Sequence, residues 1–154
     1  MALQDESYMA PRFEFLHREA AFSLIKMVAA AQTQGIQIAV VSGYRDFATQ
    51  ASLFQNRVGD LGSEAEAAKS VAPPGYSEHH TGYAVDLTDG AHDFRDFDQT
   101  PAFQWMVAHA HEYGFELSFP PNNLQGVDYE PWHWRFVGSP EAAGLFEAVR
   151  EGQL

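Results

Sequence analysis

The sequence predicts a single α+β domain in which a small antiparallel sheet is flanked by helices. Short segments alternate apolar with polar residues, as strands do, and longer segments repeat apolar residues at helical spacing. The chain contains no internal repeat, low-complexity tract or interdomain linker, and its 154 residues with 45% hydrophobic content can bury one core. We therefore expect one domain that spans residues 1–154.

The N-terminal part of the chain predicts two helices with a strand between them. The segment Pro11–Gln34 predicts a long helix, and Gly35 follows where a helix can end. Ile36–Val41 alternates in polarity and predicts a strand, whereas Asp46–Val58 predicts a second helix. The apolar residues whose spacing predicts the first helix are Phe15, Phe22, Ile25 and Ala29. Residues 42–45, Ser-Gly-Tyr-Arg, form a sharp turn at a strand end, where functional side chains often project.

The middle of the chain predicts a short helix, a strand and an acidic loop. Ser63 and Glu66 are spaced as a capping box that opens a short helix. Gly82–Leu87 predicts a strand whose apolar residues share one face, which places Asp86 on the opposite face. The aspartate-rich segment Asp89–Asp98 lacks the ligand spacing of a calcium loop and predicts a solvated loop.

The C-terminal part predicts two helices and two strands. Thr100 and the proline after it are suited to begin a helix, which we expect to end at Gly114. Phe115–Phe119 and Trp132–Val137 predict strands, and Ser139 is suited to cap a final helix. The residues expected to face the core from the first of these helices are Phe103, Met106, Val107 and Ala110.

The charge and composition restrict the possible partners. With nine basic and 21 acidic side chains the net charge is −12, which argues against nucleic acid and anionic membrane surfaces as partners. No apolar run is long enough to span a bilayer, and residues 1–7 lack the basic and apolar regions of a signal peptide. The compartment is left open. Because there is no cysteine, a metal could be held only by His, Asp and Glu.

Two segments contain suitable metal ligands. His79 and Asp86 lie seven residues apart, and His133 follows Glu130 at a spacing of three. Two histidines and one aspartate can form a three-ligand zinc shell with an open fourth position, and a spare glutamate can act as a base. Either spacing alone is common by chance. The alternation around Asp86 and the tryptophans on both sides of His133 favour a site, because rings of this kind can exclude water from a ligand.

Other candidate residues have simpler interpretations. Glu14 and His17 are spaced as a metal pair on the first predicted helix, but no third ligand accompanies them, which favours a partly exposed histidine beside an acid. His109 and His111 are expected to lie at the surface or behind ligands. Local sequence alone allows Arg45 to be a functional residue of the turn or a partner of a neighbouring acid.

The segments Ser77–Asp86 and Glu130–Trp134, which read SEHHTGYAVD and EPWHW, resemble the zinc D-alanyl-D-alanine carboxypeptidases of the VanY type. That group is related to the D-Ala-D-Ala dipeptidases and the hedgehog signalling domain. The resemblance covers about residues 36–138 and includes the turn at residues 42–45. It implies a hedgehog/D-Ala-D-Ala peptidase-like fold. His80 falls at a variable position of the pattern and is not assigned to zinc.

The resemblance implies one zinc per chain and a role for each matching residue. The implied zinc ligands are His79, Asp86 and His133, and the implied catalytic base is Glu130. The residues implied to contact the substrate are Tyr44, Arg45, Gln50, Ser77 and Trp132. Among these, Arg45 would bind the terminal carboxylate of the substrate or polarise its scissile carbonyl.

The implied activity is the zinc-dependent removal of C-terminal D-alanine from peptidoglycan stem peptides, by a water that the metal activates and Glu130 deprotonates. We expect peptides that end in D-Ala as partners and a monomeric protein. An L,D-carboxypeptidase, a D,D-dipeptidase and a wall endopeptidase would use the same metal chemistry and remain alternatives. A more distant alternative is a binding module that holds zinc but catalyses no reaction. Glu130 argues against this alternative, because a structural zinc needs no base.

Overall fold

The computed structural model describes residues 14–151. A four-stranded antiparallel sheet with helices around it confirms the predicted fold class. The strands are β1 (Ala39–Ser42), β2 (Ala84–Thr88), β3 (Phe115–Leu117) and β4 (His133–Phe136). The helices are α1 (Arg18–Gln32), α2 (Phe47–Leu61), α3 (Glu64–Ala67), α4 (Pro101–His109) and α5 (Pro140–Arg150). Short 3-10 segments cover Glu78–Thr81, Phe94–Gln99 and Ala110–Tyr113. The predicted domain limits, residues 1–154, extend beyond the described region and stay a prediction.

The strand order β1-β2-β4-β3 places β2 and β4 side by side in the centre of the sheet. Asp86 of β2 pairs directly with His133 of β4. Side chains at opposed positions of neighbouring antiparallel strands have Cβ atoms about 4.5–5.5 Å apart. The sheet register therefore brings together two residues from distant parts of the chain.

The two faces of the sheet carry different kinds of side chain. The face that carries Val85, Leu87 and Trp134 belongs to the hydrophobic core, together with side chains from α1 and α4. The other face carries Asp86 and His133, which are also buried. This division confirms the predicted alternation along β2, because successive side chains of a strand point to opposite faces.

The first helix differs from its prediction in both start and orientation. It begins at Arg18, with His17 as its N-cap, so Glu14 and His17 precede the helix, while the predicted start at residues 11–13 lies outside the described residues. Phe22 and Ile25 are 62% and 68% exposed, and the buried face carries Ala20, Leu24, Met27 and Ala31. The alanines on that face allow the helix to pack closely against its neighbours. This close packing, and not the size of the side chains in the predicted stripe, determines which face is buried.

The acidic segment is more ordered than predicted. Phe97 is fully buried within the 3-10 segment Phe94–Gln99, with its ring edge-to-face against Phe103 at 5.7 Å. The prediction of a solvated loop is therefore wrong for this half of the segment. Farther along, α4 ends at His109 and continues as a 3-10 turn to Gly114, and Val107 is 59% exposed instead of facing the core.

The predicted caps of the other helices are confirmed. The side chains of Ser63, Thr100 and Ser139 each accept a hydrogen bond from a backbone N–H in the first turn of the following helix. Asp46, the first residue of the second predicted helix, is instead the N-cap of α2. Such caps satisfy donors that the helix itself leaves unpaired. No helix within residues 14–151 combines the length and apolar character needed to cross a membrane.

Candidate active site

Three buried side chains converge beside the central strands. His79 comes from the 3-10 turn before β2, Asp86 from β2 and His133 from β4. Asp86 Oδ1 lies 3.2 Å from His79 Nε2 and 3.0 Å from His133 Nδ1. The three can offer ligand atoms that all lie within 4.8 Å of one another. Two imidazole nitrogens and one carboxylate oxygen are a donor set that suits zinc, with a fourth position left open for water or substrate.

The orientation of His79 is fixed by the turn at residues 42–45. Its Nδ1 lies 2.7 Å from the carbonyl oxygen of Gly43. Because a carbonyl only accepts, Nδ1 carries a hydrogen, and Nε2 is the ring nitrogen that faces Asp86. A Cβ at residue 43 would collide with the carbonyl oxygen of Phe15, so this close packing requires glycine. Ser77 Oγ accepts from the backbone N–H of His79 at 3.2 Å and stabilises the turn that carries this histidine.

Glu78 fixes the orientation of His133. Its Oε1 accepts from His133 Nε2 at 2.9 Å, which directs the other ring nitrogen, Nδ1, toward Asp86. Its Oε2 accepts from Arg135 at 2.9 Å. Burial would raise the pKa of Glu78, but His133 and Arg135 lower it to about 2, so the carboxylate stays ionised. A carboxylate that orients a ligand imidazole is a usual companion of a metal site.

An ionic chain continues from Glu78 to the C-terminal helix. Arg135 Nε donates to Glu116 Oε1 at 2.9 Å, and Arg150 Nε of α5 forms an ion pair with the same oxygen at 2.9 Å. The Arg135 guanidinium also lies over the Phe146 ring of α5, 5.5 Å from its centroid. The side chains behind His133 are therefore held by β3 and α5 together.

The site favours positive charge at His133. Burial would lower the pKa of this imidazole, but its hydrogen bonds to Asp86 and Glu78 outweigh that effect and raise the pKa to about 10. Burial likewise disfavours the charge of Asp86, yet the pKa of this carboxyl lies well below its usual range because of His79 and His133. Two buried carboxylates that stabilise a proton on His133 would stabilise a metal cation at Nδ1 for the same reason.

Glu130 lies at the edge of the ligand cluster. Its Oε2 is 3.8 Å from His133 Nδ1, and its backbone N–H donates to the carbonyl of Phe119 at 3.0 Å. Because β4 begins only at His133, Glu130 lies outside the strand. Its side chain can therefore face the same point as the side chain of His133, three residues later. Burial raises its pKa to about 7; the imidazole of His133 opposes this shift, and the charge of Asp86 adds to it. A carboxyl group with a pKa near neutrality is suited to accept and return a proton.

Arg45 extends from the turn toward the ligands. Its guanidinium donates to Ser42 Oγ at 3.0 Å and to Gln50 Oε1 at 2.9 Å, and lies 3.8 Å from Asp86 Oδ2. Gln50 in turn donates to the carbonyl of residue 72 at 2.8 Å. Asp46 caps α2 through the backbone N–H of Thr49, so the neighbouring acid does not occupy Arg45.

A cleft of about 460 Å³ opens above the ligand cluster. Its lining includes most of the residues predicted from the sequence, namely Arg45, Gln50, Ser77, His79, Asp86, Glu130, Trp132 and His133. Tyr44 is half-exposed and does not line the cleft, so its contact with substrate stays a prediction. Trp132 packs edge-to-face on Phe94 with their centroids 5.0 Å apart, which gives one side of the cleft an aromatic surface.

Sequence reasoning missed several residues of this cleft. Glu78 directly precedes the predicted ligand His79, and its charge is the one feature of the sequence that could have indicated a role in the site. Phe119, whose ring lies 5.0 Å from that of His133, and Tyr76 have no local signal, because only the tertiary fold brings them to the cleft.

Comparison with known proteins gives the family. Residues 14–139 match the family model of VanY, described as D-alanyl-D-alanine carboxypeptidase. The chain is 38% identical to YodJ of Bacillus subtilis (strain 168) over 133 residues, which cover 83% of this chain and 48% of YodJ. It resembles the structure of the LD-carboxypeptidase LdcB, with a TM-score of 0.78, 34% identity and coverage of 94% and 72% of the two chains. It also resembles a vancomycin resistance D,D-pentapeptidase VanY in complex with Zn(II), with a TM-score of 0.74, 28% identity and coverage of 96% and 88%.

The chain spans about half the length of the curated relatives it matches. The family match ends at residue 139, so α5, which supports Arg135, lies beyond it. Within the matched region are all the residues that converge on the cleft floor. On the family match, the sequence identity and the shared fold, this chain belongs to the VanY family of D-alanyl-D-alanine carboxypeptidases.

Proposed function

We propose that this protein is a zinc-dependent carboxypeptidase that removes the terminal D-alanine from peptidoglycan stem peptides. The observation that carries the proposal is the buried cluster of His79, Asp86 and His133, with Glu130 3.8 Å from the His133 ring. The Zn(II) complex of the VanY neighbour supports zinc as the metal. One ion per chain and a monomeric enzyme are part of the proposal.

The ligand roles follow from the ring orientations. His79 would bind through Nε2, since Nδ1 is committed to the Gly43 carbonyl, and His133 would bind through Nδ1, since Nε2 is committed to Glu78. Asp86 would contribute Oδ1, which both imidazoles already face. Zinc in such a set supplies a Lewis acid that activates water and polarises a carbonyl group.

Glu130 would carry the proton during the reaction. Its buried carboxylate accepts a proton from the water that attacks the scissile amide carbonyl, and returns it to the departing amine. Burial raises the pKa of the Glu130 carboxyl above its ordinary value, which makes this group a better proton acceptor than an exposed carboxylate. The proton balance closes, since the product amine receives the hydrogen that the water loses.

Arg45 would bind the terminal carboxylate of the peptide. The guanidinium is positioned by Ser42 and Gln50 and points to the ligand side of the cleft. A planar guanidinium binds a carboxylate with two parallel hydrogen bonds, which selects a free chain end. Ser77 lines the same part of the cleft, and Trp132 offers an apolar surface to a small side chain such as the methyl of alanine.

Similarity to LdcB favours a second candidate, an L,D-carboxypeptidase. Both reactions release one D-alanine and need the same metal and base. They differ in the configuration of the residue before the scissile bond, which must fit against the cleft lining.

Two peptides separate these activities. We expect the zinc-loaded protein to convert a pentapeptide ending in D-Ala-D-Ala to the tetrapeptide, as measured by mass spectrometry, and a chelator to abolish the reaction. Release of D-alanine from the tetrapeptide alone would select the L,D activity, and hydrolysis of free D-Ala-D-Ala without cleavage of either stem peptide would select a dipeptidase. If the fully zinc-loaded protein left both peptides intact, the proposed function would be wrong.

A further inference from the structure

One face of α2 forms a long wall of the cleft. Its residues that line the cleft are Gln50, Leu53, Asn56, Arg57 and Asp60. Their separations of three or four residues, apart from the adjacent pair, correspond to a single face of a helix. From Gln50 to Asp60 the helix rises roughly 15 Å, at 1.5 Å per residue. The wall is therefore several times longer than one residue of an extended peptide, which spans about 3.3 Å.

The Gln50 end of this wall lies at the reactive end of the cleft. Gln50 accepts from Arg45, and the Arg45 guanidinium lies 3.8 Å from Asp86. If the peptide terminus lies at Arg45, as in the proposed function, the preceding residues can extend along α2. An extended chain covers about 3.3 Å per residue, so the wall has room for about four residues, or for fewer residues and one long side chain.

Arg57 presents a guanidinium whose outer nitrogens have no carboxylate partner. Its Nε donates to Ser70 Oγ at 2.9 Å, which holds the half-buried side chain against the cleft. Between residues 14 and 151, no other hydrogen bond or ion pair involves this guanidinium. A guanidinium that is fixed in a wall and keeps its two outer nitrogens free is suited to bind a carboxylate.

Asp60 lies one helical turn beyond Arg57 and provides the opposite charge. Its side chain is exposed, and within the described part of the chain it has neither a hydrogen bond nor an ion pair. Residues three apart on a helix have Cβ atoms about 5–6 Å from each other. Arg57 and Asp60 therefore offer a cation and an anion side by side without neutralising each other.

We propose that Arg57 and Asp60 form a subsite for a diamino dicarboxylic acid at the third position of the stem peptide. The side chain of such a residue ends in a carboxylate and an ammonium on the same carbon. Arg57 would bind the carboxylate and Asp60 the ammonium, while a lysine at this position could use Asp60 alone. The proposal rests on the proposed function, which fixes the end of the cleft that holds the peptide terminus.

Peptide binding tests this subsite separately from turnover. Calorimetry on zinc-loaded Glu130→Gln protein would use three pentapeptides ending in D-Ala-D-Ala, with the diamino diacid, lysine or norleucine at the third position. We expect the diacid peptide to bind most tightly and the norleucine peptide most weakly. Adding Arg57→Gln should raise the Kd of the diacid peptide about 10-fold and that of the lysine peptide less than about twofold. Adding Asp60→Asn should raise both by about threefold.

Arg95 provides a matched control. It also lines the cleft, but two hydrogen bonds from its guanidinium to Asp93 measure 2.8 Å, so its charge is already paired. We expect Arg95→Gln to leave the order of the three affinities unchanged. Equal affinities for the three peptides, or no binding of any of them, would overturn the subsite. If the wild-type protein turns over the pentapeptide while the Glu130→Gln protein binds the three peptides with equal affinity, the subsite is overturned and the proposed function stands.

Discussion

The floor and the wall of the cleft hold their polar side chains in different ways. In the floor, His79, Asp86 and His133 are buried, and each contacts another ionisable group. In the wall, Arg57 has one hydrogen bond and Asp60 is exposed without a partner in the described part of the chain. The comparison indicates that the floor is built for fixed geometry and the wall for contact with variable groups.

The energetic consequences of the two environments differ accordingly. Removing one partner in the floor leaves a buried polar group unsatisfied, which typically costs about 1–3 kcal/mol and more for a charge. An exposed ion pair contributes only about 0–1 kcal/mol. We therefore expect substitutions to lose effect as they move from the floor toward the exposed ends of the site.

Glu130, the proposed catalytic base, should show the strongest effect on turnover. Glu130→Gln keeps the size of the side chain but removes the group that accepts the proton. We expect kcat to fall by about 10²–10⁴-fold while zinc content and the thermal unfolding midpoint stay close to wild type. Steady-state kinetics, metal analysis and a melting curve measure the three quantities. Turnover near the wild-type rate would assign the base to another group.

Arg45, at the junction of floor and wall, should affect only substrates with a free terminus. We expect Arg45→Ala to lower kcat/KM on the free acid by about one to two decades, and to have little effect on the C-terminal amide. The substitution and the amidation remove the same interaction, so their losses should not add. Four measurements of kcat/KM complete the cycle. Additive losses would mean that Arg45 does not bind the terminal carboxylate.

Glu78 should act on the metal through His133. Glu78→Gln loses the negative charge that faces His133 and Arg135, and we expect zinc affinity to fall about 10–100-fold. Competition with a chromogenic chelator measures the Kd. Glu66→Gln, which changes an exposed carboxylate of α3 that pairs with Lys69, is the control and should not alter the Kd. A Kd for Glu78→Gln within twofold of wild type would show that Glu78 has no part in orienting the ligand.

A substitution of Arg150, at the outer end of the ionic chain, should have the smallest effect on zinc affinity. The Arg150 side chain is 42% exposed, and its ion pair with Glu116 is separated from Glu78 by Arg135. We expect Arg150→Gln to change the zinc Kd by less than about threefold, as an exposed pair is worth little. A loss as large as that of Glu78→Gln would contradict the decline in effect from floor to surface.

Local sequence patterns were sufficient to predict the fold class and much of the floor. Alternation along β2 placed Asp86 opposite the core face, and the caps of the later helices followed from Ser and Thr at their starts. The family resemblance, which the comparisons confirm, supplied the roles of the matching residues. The prediction that Phe22 and Ile25 face the core was wrong. The spacing of large apolar residues does not show which side of a helix is buried when the opposite side carries small residues.

Features that depend on distant contacts could not be predicted. Glu78 acts on His133, which is 55 residues away in the sequence, and only the register of β2 with β4 brings the two ends together. The cleft wall likewise depends on how α2 is rotated against the loop that contains Ser70. No local pattern encodes that rotation, so Arg57 and Asp60 read as ordinary charged residues of a helix.

The metal assignment can be tested on the protein without substrate. Zinc per chain would be measured after equilibrium dialysis in the wild-type protein, in His133→Ala and in the control His111→Ala, which changes an exposed histidine after α4. We expect one zinc per chain in the wild type and the control, and none in His133→Ala, because two ligands cannot retain the ion. Retention of one zinc per chain by His133→Ala would contradict the site formed by His79, Asp86 and His133.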